Sequence, residues 1–209
     1  MSVVKLIDLR RLSVASIRGE LPATFIFSRC RPEGGTPFGI LESLRRSNVD
    51  WLELKKQYEV TFERPVQALI AHMPLDTTTD RSPIIASIGD VIRRLGPHWT
   101  AAGNRRLVIF SDLLENTNEF SQYNAKGAAK TFAEARAIPY IRDARLDLAN
   151  VGVTVFYLTG RPGSERLQTN THERFWRDLI AWYGGRIVTW VPVPSEDQYA
   201  NATGGKAHE

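Results

Sequence analysis

The sequence contains few of the residues that carry easily recognised chemistry. Its 209 residues include one cysteine, which excludes an internal disulfide and a cysteine-rich zinc site. No stretch approaches the roughly 18 consecutive apolar residues of a membrane-spanning helix, and the N-terminus lacks the apolar segment of a signal peptide. We therefore expect a cytoplasmic protein without a membrane span. The four histidines show no metal-ligand spacing: His72, His98, His172 and His208.

The charged residues also exclude some functions. There are 27 Lys and Arg residues against 23 Asp and Glu residues, a formal net charge of +4, and no run of five basic residues appears. Nucleic-acid binding is therefore not indicated. With 43% hydrophobic residues, the chain can bury one sizeable core. We predict one domain over residues 1–193 and a flexible tail over residues 194–209.

Two short β-rich segments are present near the N-terminus. Val3–Leu12 and Thr24–Ser28 are separated by a link too short for a crossover helix and its turns, so we predict that they pair antiparallel. Helical periodicity then extends from Trp51 to Met73. Pro65 is expected to kink or divide this helix, because proline lacks the backbone N–H and crowds the preceding turn.

The second half of the chain alternates amphipathic helices with apolar strands. In Ser82–Gly96 the apolar residues share one helical face, with Ser82 predicted as the N-cap and Gly96 as the stop. Such alternation predicts a parallel sheet covered by helices on both faces, with Leu107–Phe110 in a central strand. The remaining segments are two predicted strands, Val151–Gly160 and Arg186–Pro192, and three helical regions, Lys126–Ala137, Pro139–Asn150 and Thr171–Gly185.

A carboxylate follows the apolar strand Leu107–Phe110 within two residues. Ligand sites of parallel sheets lie outside the carboxyl ends of the strands, so Asp112 is a candidate ligand for a hard cation. The alternative interpretation is that Asp112 caps a turn, with Glu115 and Asn116 solvated. Ser82 has two interpretations as well, because its hydroxyl is either a helix N-cap or a second metal ligand at the top of the sheet.

Four segments in order resemble a von Willebrand factor A-like domain, in particular its bacterial members: "RSPIIASIGDVIRRLG", "RRLVIFSDLLENT", "GVTVFYLTGRPG" and "HERFWRDLIAWYGG". The resemblance covers roughly Val3 to Pro192. It implies an α/β fold, a Rossmann-like three-layer sandwich with a mostly parallel central sheet and an antiparallel edge strand. It also implies a metal-ion-dependent adhesion site for Mg²⁺ or Mn²⁺, in which Ser82 and Asp112 match the second and third ligand elements.

The first ligand element of that family, an Asp-x-Ser-x-Ser motif after the first strand, has no counterpart here. Asp8 is followed at the hydroxyl positions by Arg10 and Leu12. The two N-terminal β-rich segments match the family's second and third strands, so the domain is predicted to be N-terminally incomplete. Because two ligands hold a divalent ion weakly, we expect no metal to bind tightly to this chain alone.

The resemblance implies a non-enzymatic protein-interaction module, with no catalytic residues and another protein as its partner, within a bacterial multiprotein system. One alternative is a metal-dependent phosphoesterase or nuclease with Asp112 and Glu115 as ligands. Such enzymes gather several carboxylates around one or two metals, and few acidic residues lie near the predicted strand ends. Another alternative is a purely structural subunit of a larger complex.

Overall fold

A computed structural model describes residues 11–17, 23–30, 51–71, 81–100, 103–124, 130–160 and 163–194. The chain divides into two compact units. Unit 1 comprises Met1–Ser16 and Thr24–Thr78, and unit 2 comprises Ile17–Ala23 and Thr79–Glu209. Among the described helices, none is long and apolar enough to cross a membrane. The predicted tail lies outside the described residues, apart from Pro194.

Unit 1 contains an antiparallel strand pair. Strand β1 (Arg11–Ser16) pairs with β2 (Thr24–Cys30), and the register shifts between Val14 and Ala15. The predicted antiparallel pairing is confirmed for Arg11 and Leu12 and extends to Ser16, into the predicted link, while Val3–Arg10 lies outside the described residues. These strands form a two-stranded sheet of their own. Within the described ranges, the prediction of an antiparallel edge strand on the parallel sheet is therefore wrong.

The helical region of unit 1 changes its winding just before Pro65. Helix α1 (Trp51–Tyr58) leads into a π-helical turn (Glu59–Glu63), and α2 (Arg64–Ala71) follows. Because proline removes one helical N–H and collides with the carbonyl four residues earlier, a wider turn at this point keeps the chain helical. The prediction that Pro65 divides the region is confirmed for its α-helical winding, while the chain stays helical through the π-helical turn.

Unit 2 is built on a parallel sheet of three strands. They are β3 (Arg105–Ser111), β4 (Val151–Thr159) and β5 (Arg186–Pro194), in the order β3-β4-β5. The predicted parallel sheet is thus confirmed for these strands. The predicted central position of Leu107–Phe110 is wrong in the described structure, because β4 is central and β3 lies at the edge. The fold is mixed α/β.

Five helices are described in unit 2. Helix α3 (Ile84–Leu95) ends at Gly96, which has a φ of +48°, so the predicted helix and its stop are confirmed. The helix predicted over Thr171–Gly185 is confirmed as α7 (Asn170–Trp182). The helices predicted between β3 and β4 are one turn each in the described residues, and positions 126–129 of the first prediction lie outside them. The remaining bounds are α4 (Pro97–Thr100), α5 (Phe132–Ala135) and α6 (Pro139–Arg142).

The core of unit 2 lies on one face of the parallel sheet. Along β4, buried residues alternate with partly exposed ones, the pattern of a sheet with one covered face. The prediction of a sheet covered by helices on both faces stays a prediction. The covered face of β4 packs with α3 and α7, through Val151, Val153, Val155, Tyr157, Ile84, Ile85, Ile88, Ile92, Phe175, Trp176, Leu179 and Ile180.

Candidate functional site at the carboxyl end of β3

Two segments that the sequence analysis singled out meet beyond the end of β3. The backbone N–H of Ser82 donates to the carbonyl of Asn116 at 2.9 Å, and the N–H of Asn116 donates back to the carbonyl of Ser82 at 3.0 Å. This antiparallel bridge joins the segment before α3 to the loop of residues 112–122, which we call the β3 loop. The loop that carries Asp112 and the segment that carries Ser82 are therefore neighbours.

Ser82 is not the N-cap of α3. The cap residue is Pro83, which makes no side-chain capping bond. Instead, Glu115 of the β3 loop accepts a hydrogen bond from the N–H of Ile85 at 2.9 Å. The prediction of a Ser82 cap is wrong because a carboxylate 30 residues away in sequence satisfies the helix terminus, whose first N–H groups have no partner within the helix.

Glu115 is fully buried, with 0% of its surface exposed. Its second carboxylate oxygen accepts a hydrogen bond from the Tyr140 hydroxyl at 2.6 Å. Burial raises the pKa of Glu115 to about 8, although hydrogen bonds from Tyr140 and from the N–H groups of Ile85 and Ile84 act in the lowering direction. The alternative interpretation of Glu115 as a solvated residue is therefore wrong, and both of its oxygens have protein partners.

Asp112 lies at the start of the β3 loop and is 9% exposed. Its carboxylate accepts a hydrogen bond from the N–H of Leu114 at 3.2 Å, which is a local turn of the kind that aspartate favours. Its own carbonyl accepts from the Gln168 side chain at 3.3 Å. The carboxylate also acts on Tyr157, because burial first and the charge of Asp112 second raise the pKa of that hydroxyl.

Leu113 adopts the left-handed conformation, with a φ of +57°, and its side chain is fully buried. A non-glycine residue there is strained. Its carbonyl receives two side-chain donors from α7, Trp176 Nε1 at 2.8 Å and His172 Nε2 at 3.0 Å. These bonds and the buried side chain hold the backbone immediately after Asp112 in one conformation.

His172 connects the β3 loop to the sheet. Its Nδ1 lies 2.8 Å from the Tyr157 hydroxyl. Since the Leu113 carbonyl can only accept, His172 Nε2 carries the proton and Tyr157 donates to Nδ1. Burial lowers the pKa of His172 to about 4, so the ring is neutral at pH 7. This histidine is therefore bound to protein groups through both nitrogens.

The described residues do not form a complete metal site. They contain no group of three or more His, Cys, Asp or Glu side chains arranged to hold a metal ion. Ser82 and Asp112 lie on adjacent segments, while Glu115 is committed to Ile85 and Tyr140. The available side chains do not form a complete ligand set for Mg²⁺ or Mn²⁺, which take about six oxygen ligands.

The residues that hold the β3 loop were not predicted from the sequence. Gln122 accepts from the N–H of Glu115 at 3.1 Å, and its own N–H donates to the Glu115 carbonyl at 2.8 Å. Tyr140, Tyr157 and His172 are the other missed residues. No local motif marks them, because each meets its partner only when distant segments pack together. No protein-family model, curated protein or solved structure matches this chain.

Proposed function

We propose that this protein is a non-enzymatic protein-interaction module of the von Willebrand factor A type, with a Rossmann-like fold. Its binding surface is the β3 loop together with the segment before α3. The bridge between Ser82 and Asn116 is the observation that supports this proposal. It brings together the two segments that carry Ser82 and Asp112, at the carboxyl ends of the strands, where parallel folds place their ligand sites.

The rigidity of the β3 loop also supports a binding role. Its backbone is held from inside by Glu115, Gln122, His172 and Trp176. A surface that is held in one conformation before binding loses less entropy when a partner docks. The partner is another protein. Where Mg²⁺ or Mn²⁺ takes part, ligands from that partner complete the coordination of the ion. A cytoplasmic multiprotein complex is the setting we propose.

The metal-dependent phosphoesterase or nuclease has less support. Such an enzyme needs Asp112 and Glu115 as metal ligands. One oxygen of Glu115 already accepts a hydrogen bond from Ile85 and the other accepts one from Tyr140. Releasing this carboxylate to a metal would leave a buried N–H of α3 without its acceptor, at a cost of about 1–3 kcal/mol. The geometry therefore favours a binding module over a hydrolase.

The test compares partner recovery by the wild type and by two aspartate variants. The tagged full chain is cross-linked in its source cells, and recovered proteins are quantified by mass spectrometry. The amount of a specific partner recovered with Asp112→Asn is expected to be at least tenfold lower than the amount recovered with wild type or with Asp143→Asn. Asp143 is the matched control because it is exposed and pairs with Arg142.

Two results would count against the binding module. Equal recovery of every partner by Asp112→Asn and wild type would remove the β3 loop from the interface. Turnover of bis(4-nitrophenyl) phosphate with Mg²⁺ or Mn²⁺, lost in Asp112→Asn but retained in Asp143→Asn, would establish the hydrolase instead.

A further inference from the structure

The strand order of unit 2 places its crossovers on one side of the sheet. The chain moves from β3 to β4 to β5 in a single direction, and all three strands are parallel. Parallel crossovers are right-handed, so both connections run over the same face. The buried residues of α7 and α3 belong to the core on that face. Among the described residues of unit 2, these crossovers leave the opposite face of the sheet uncovered, and we call it the bare face.

The bare face carries exposed apolar side chains, and two of them belong to β3. Val108 is 39% exposed and Phe110 is 51% exposed. Phe110 stacks on Phe156 of β4 at a ring separation of 4.4 Å. On β5 the corresponding surface includes Val188, which is 55% exposed. Clustered apolar groups of this kind mark interaction surfaces in soluble proteins.

The two edges of the parallel sheet differ in their capacity to accept another strand. Strand β5 contains Pro192 and Pro194, and proline in an edge strand removes backbone donors from the open side. Strand β3 contains no proline, and Leu107–Phe110 is apolar without interruption. Its pairing among the described residues is with β4 alone. An uninterrupted apolar edge is a template for strand addition.

Charge at the start of β3 indicates the chemistry of the added strand. Arg105 is engaged by Asp147 at 3.1 Å. Arg106 is exposed and has no acidic partner among the described residues. Because side chains of adjacent strands interact at opposite positions, a carboxylate near Arg106 would be favoured there.

We propose that the edge of β3 binds an extended segment of another polypeptide by strand addition. The segment bonds to the backbone groups of β3 that have no partner strand among the described residues, and its apolar side chains pack beside Val108 and Phe110. A carboxylate at one end lies against Arg106. This surface is separate from the β3 loop, and main-chain bonding would supply the affinity while Arg106 and the apolar pair select the sequence.

The experiment uses synthetic peptides of nine residues with blocked ends, which alternate valine and threonine. One peptide has glutamate at its first position, a second has it at its last, a third has lysine in its place, and a fourth has proline at its centre. Binding to the full chain is followed by fluorescence anisotropy and by amide hydrogen exchange of β3. A glutamate peptide is expected to protect the amides of Arg105–Ser111, and the end that binds better gives the strand direction.

Three variants test the individual contacts, after circular dichroism confirms that each is folded. Val108→Lys is expected to weaken binding of the glutamate peptides at least tenfold. The matched control Val188→Lys, on the opposite edge strand, should change binding less than twofold. Arg106→Glu should reverse the preference from the glutamate to the lysine peptide. The proline peptide should not bind, since it cannot complete the ladder.

Several outcomes would overturn the proposal. One is the absence of β3 protection at millimolar peptide, and another is equal binding by the proline peptide. A third is full protection of β3 amides without peptide, which would mean that the chain itself or a second copy covers this edge. Asp112→Asn should bind the peptides as wild type does, so failure here is distinguishable from failure of the proposed β3-loop function.

Discussion

Glu115 accepts a hydrogen bond from the backbone N–H of Ile85 at 2.9 Å, so a side chain from the β3 loop caps helix α3. The same carboxylate accepts from Tyr140, and the loop is bridged to the segment before α3 at Ser82. The loop, the helix terminus and the segment containing Tyr140 are thus joined at one buried group. Changes at Glu115 should therefore affect both the stability of α3 and the shape of the proposed binding surface.

The first prediction concerns the pH dependence of stability. The pKa of Glu115 is raised from its usual 4.5 to about 8, so the folded state holds this proton more tightly. Its stabilisation is complete below pH 4.5 and is lost as pH rises towards 8. The pKa of His172 is lowered from 6.5 to about 4, so its contribution increases between those values. The two residues change stability with pH in opposite directions up to pH 6.5. Above pH 6.5 only Glu115 still changes it.

Stability should therefore fall between pH 6.5 and 8, and urea unfolding at a series of pH values measures this fall. Glu115→Gln cannot titrate and should show a flatter profile over that window. The opposite control is His172→Gln, which keeps the alkaline fall but loses the increase between pH 4 and 6.5. An alkaline fall of the same slope in Glu115→Gln and wild type would contradict the assignment.

The second prediction compares two helix starts. Thr169 caps α7, and its side chain accepts from the N–H of His172 at 3.3 Å. Thr169→Ala should lower the free energy of unfolding by about 1 kcal/mol, the usual effect of losing a cap. Ser82→Ala should change it by less than about 0.5 kcal/mol, because Glu115 performs the capping. Thermal or urea unfolding of both variants decides the matter, and a larger loss in Ser82→Ala than in Thr169→Ala would contradict it.

The third prediction concerns the strained backbone at Leu113. Trp176→Phe removes one of the two side-chain donors to the Leu113 carbonyl and leaves a small cavity, so stability should fall by about 1–3 kcal/mol. Amide exchange in the β3 loop should accelerate as well. The matched control is Trp182→Phe, because Trp182 is 56% exposed and should cost less than about 1 kcal/mol. Equal effects of the two substitutions would show that the Leu113 contact contributes little.

Much of the local structure could be predicted from the sequence, because it depends on residues that are close along the chain. The apolar face of α3, the stop at Gly96 and the irregular winding before Pro65 are examples. The position of β3 was predicted wrongly as central. Four consecutive apolar residues suggest burial on both faces, whereas in the described structure Val108 and Phe110 are exposed on a strand at the sheet edge.

The site was predicted less completely than the helices and strands, for the same physical reason. A serine before Pro83 is a strong local cap signal, but the capping group is Glu115, which reaches α3 only through tertiary packing. The Tyr157–His172–Leu113 connection likewise joins β4, α7 and the β3 loop. Local patterns identified where polar chemistry belongs, at the end of β3, and did not identify the buried groups that hold it.

The last prediction is that this chain alone binds divalent metal weakly or not at all. The Asp-x-Ser-x-Ser element is missing from the sequence, and Glu115 is engaged by Ile85 and Tyr140. Asp112→Asn keeps a side-chain oxygen to accept from Leu114, so its stability should stay within about 0.5 kcal/mol of wild type. Calorimetry with Mg²⁺ and Mn²⁺ on wild type, Asp112→Asn and Asp143→Asn should give no micromolar binding. Micromolar binding by wild type and Asp143→Asn that disappears in Asp112→Asn would overturn the prediction, since further ligands would then have to complete a site around Asp112.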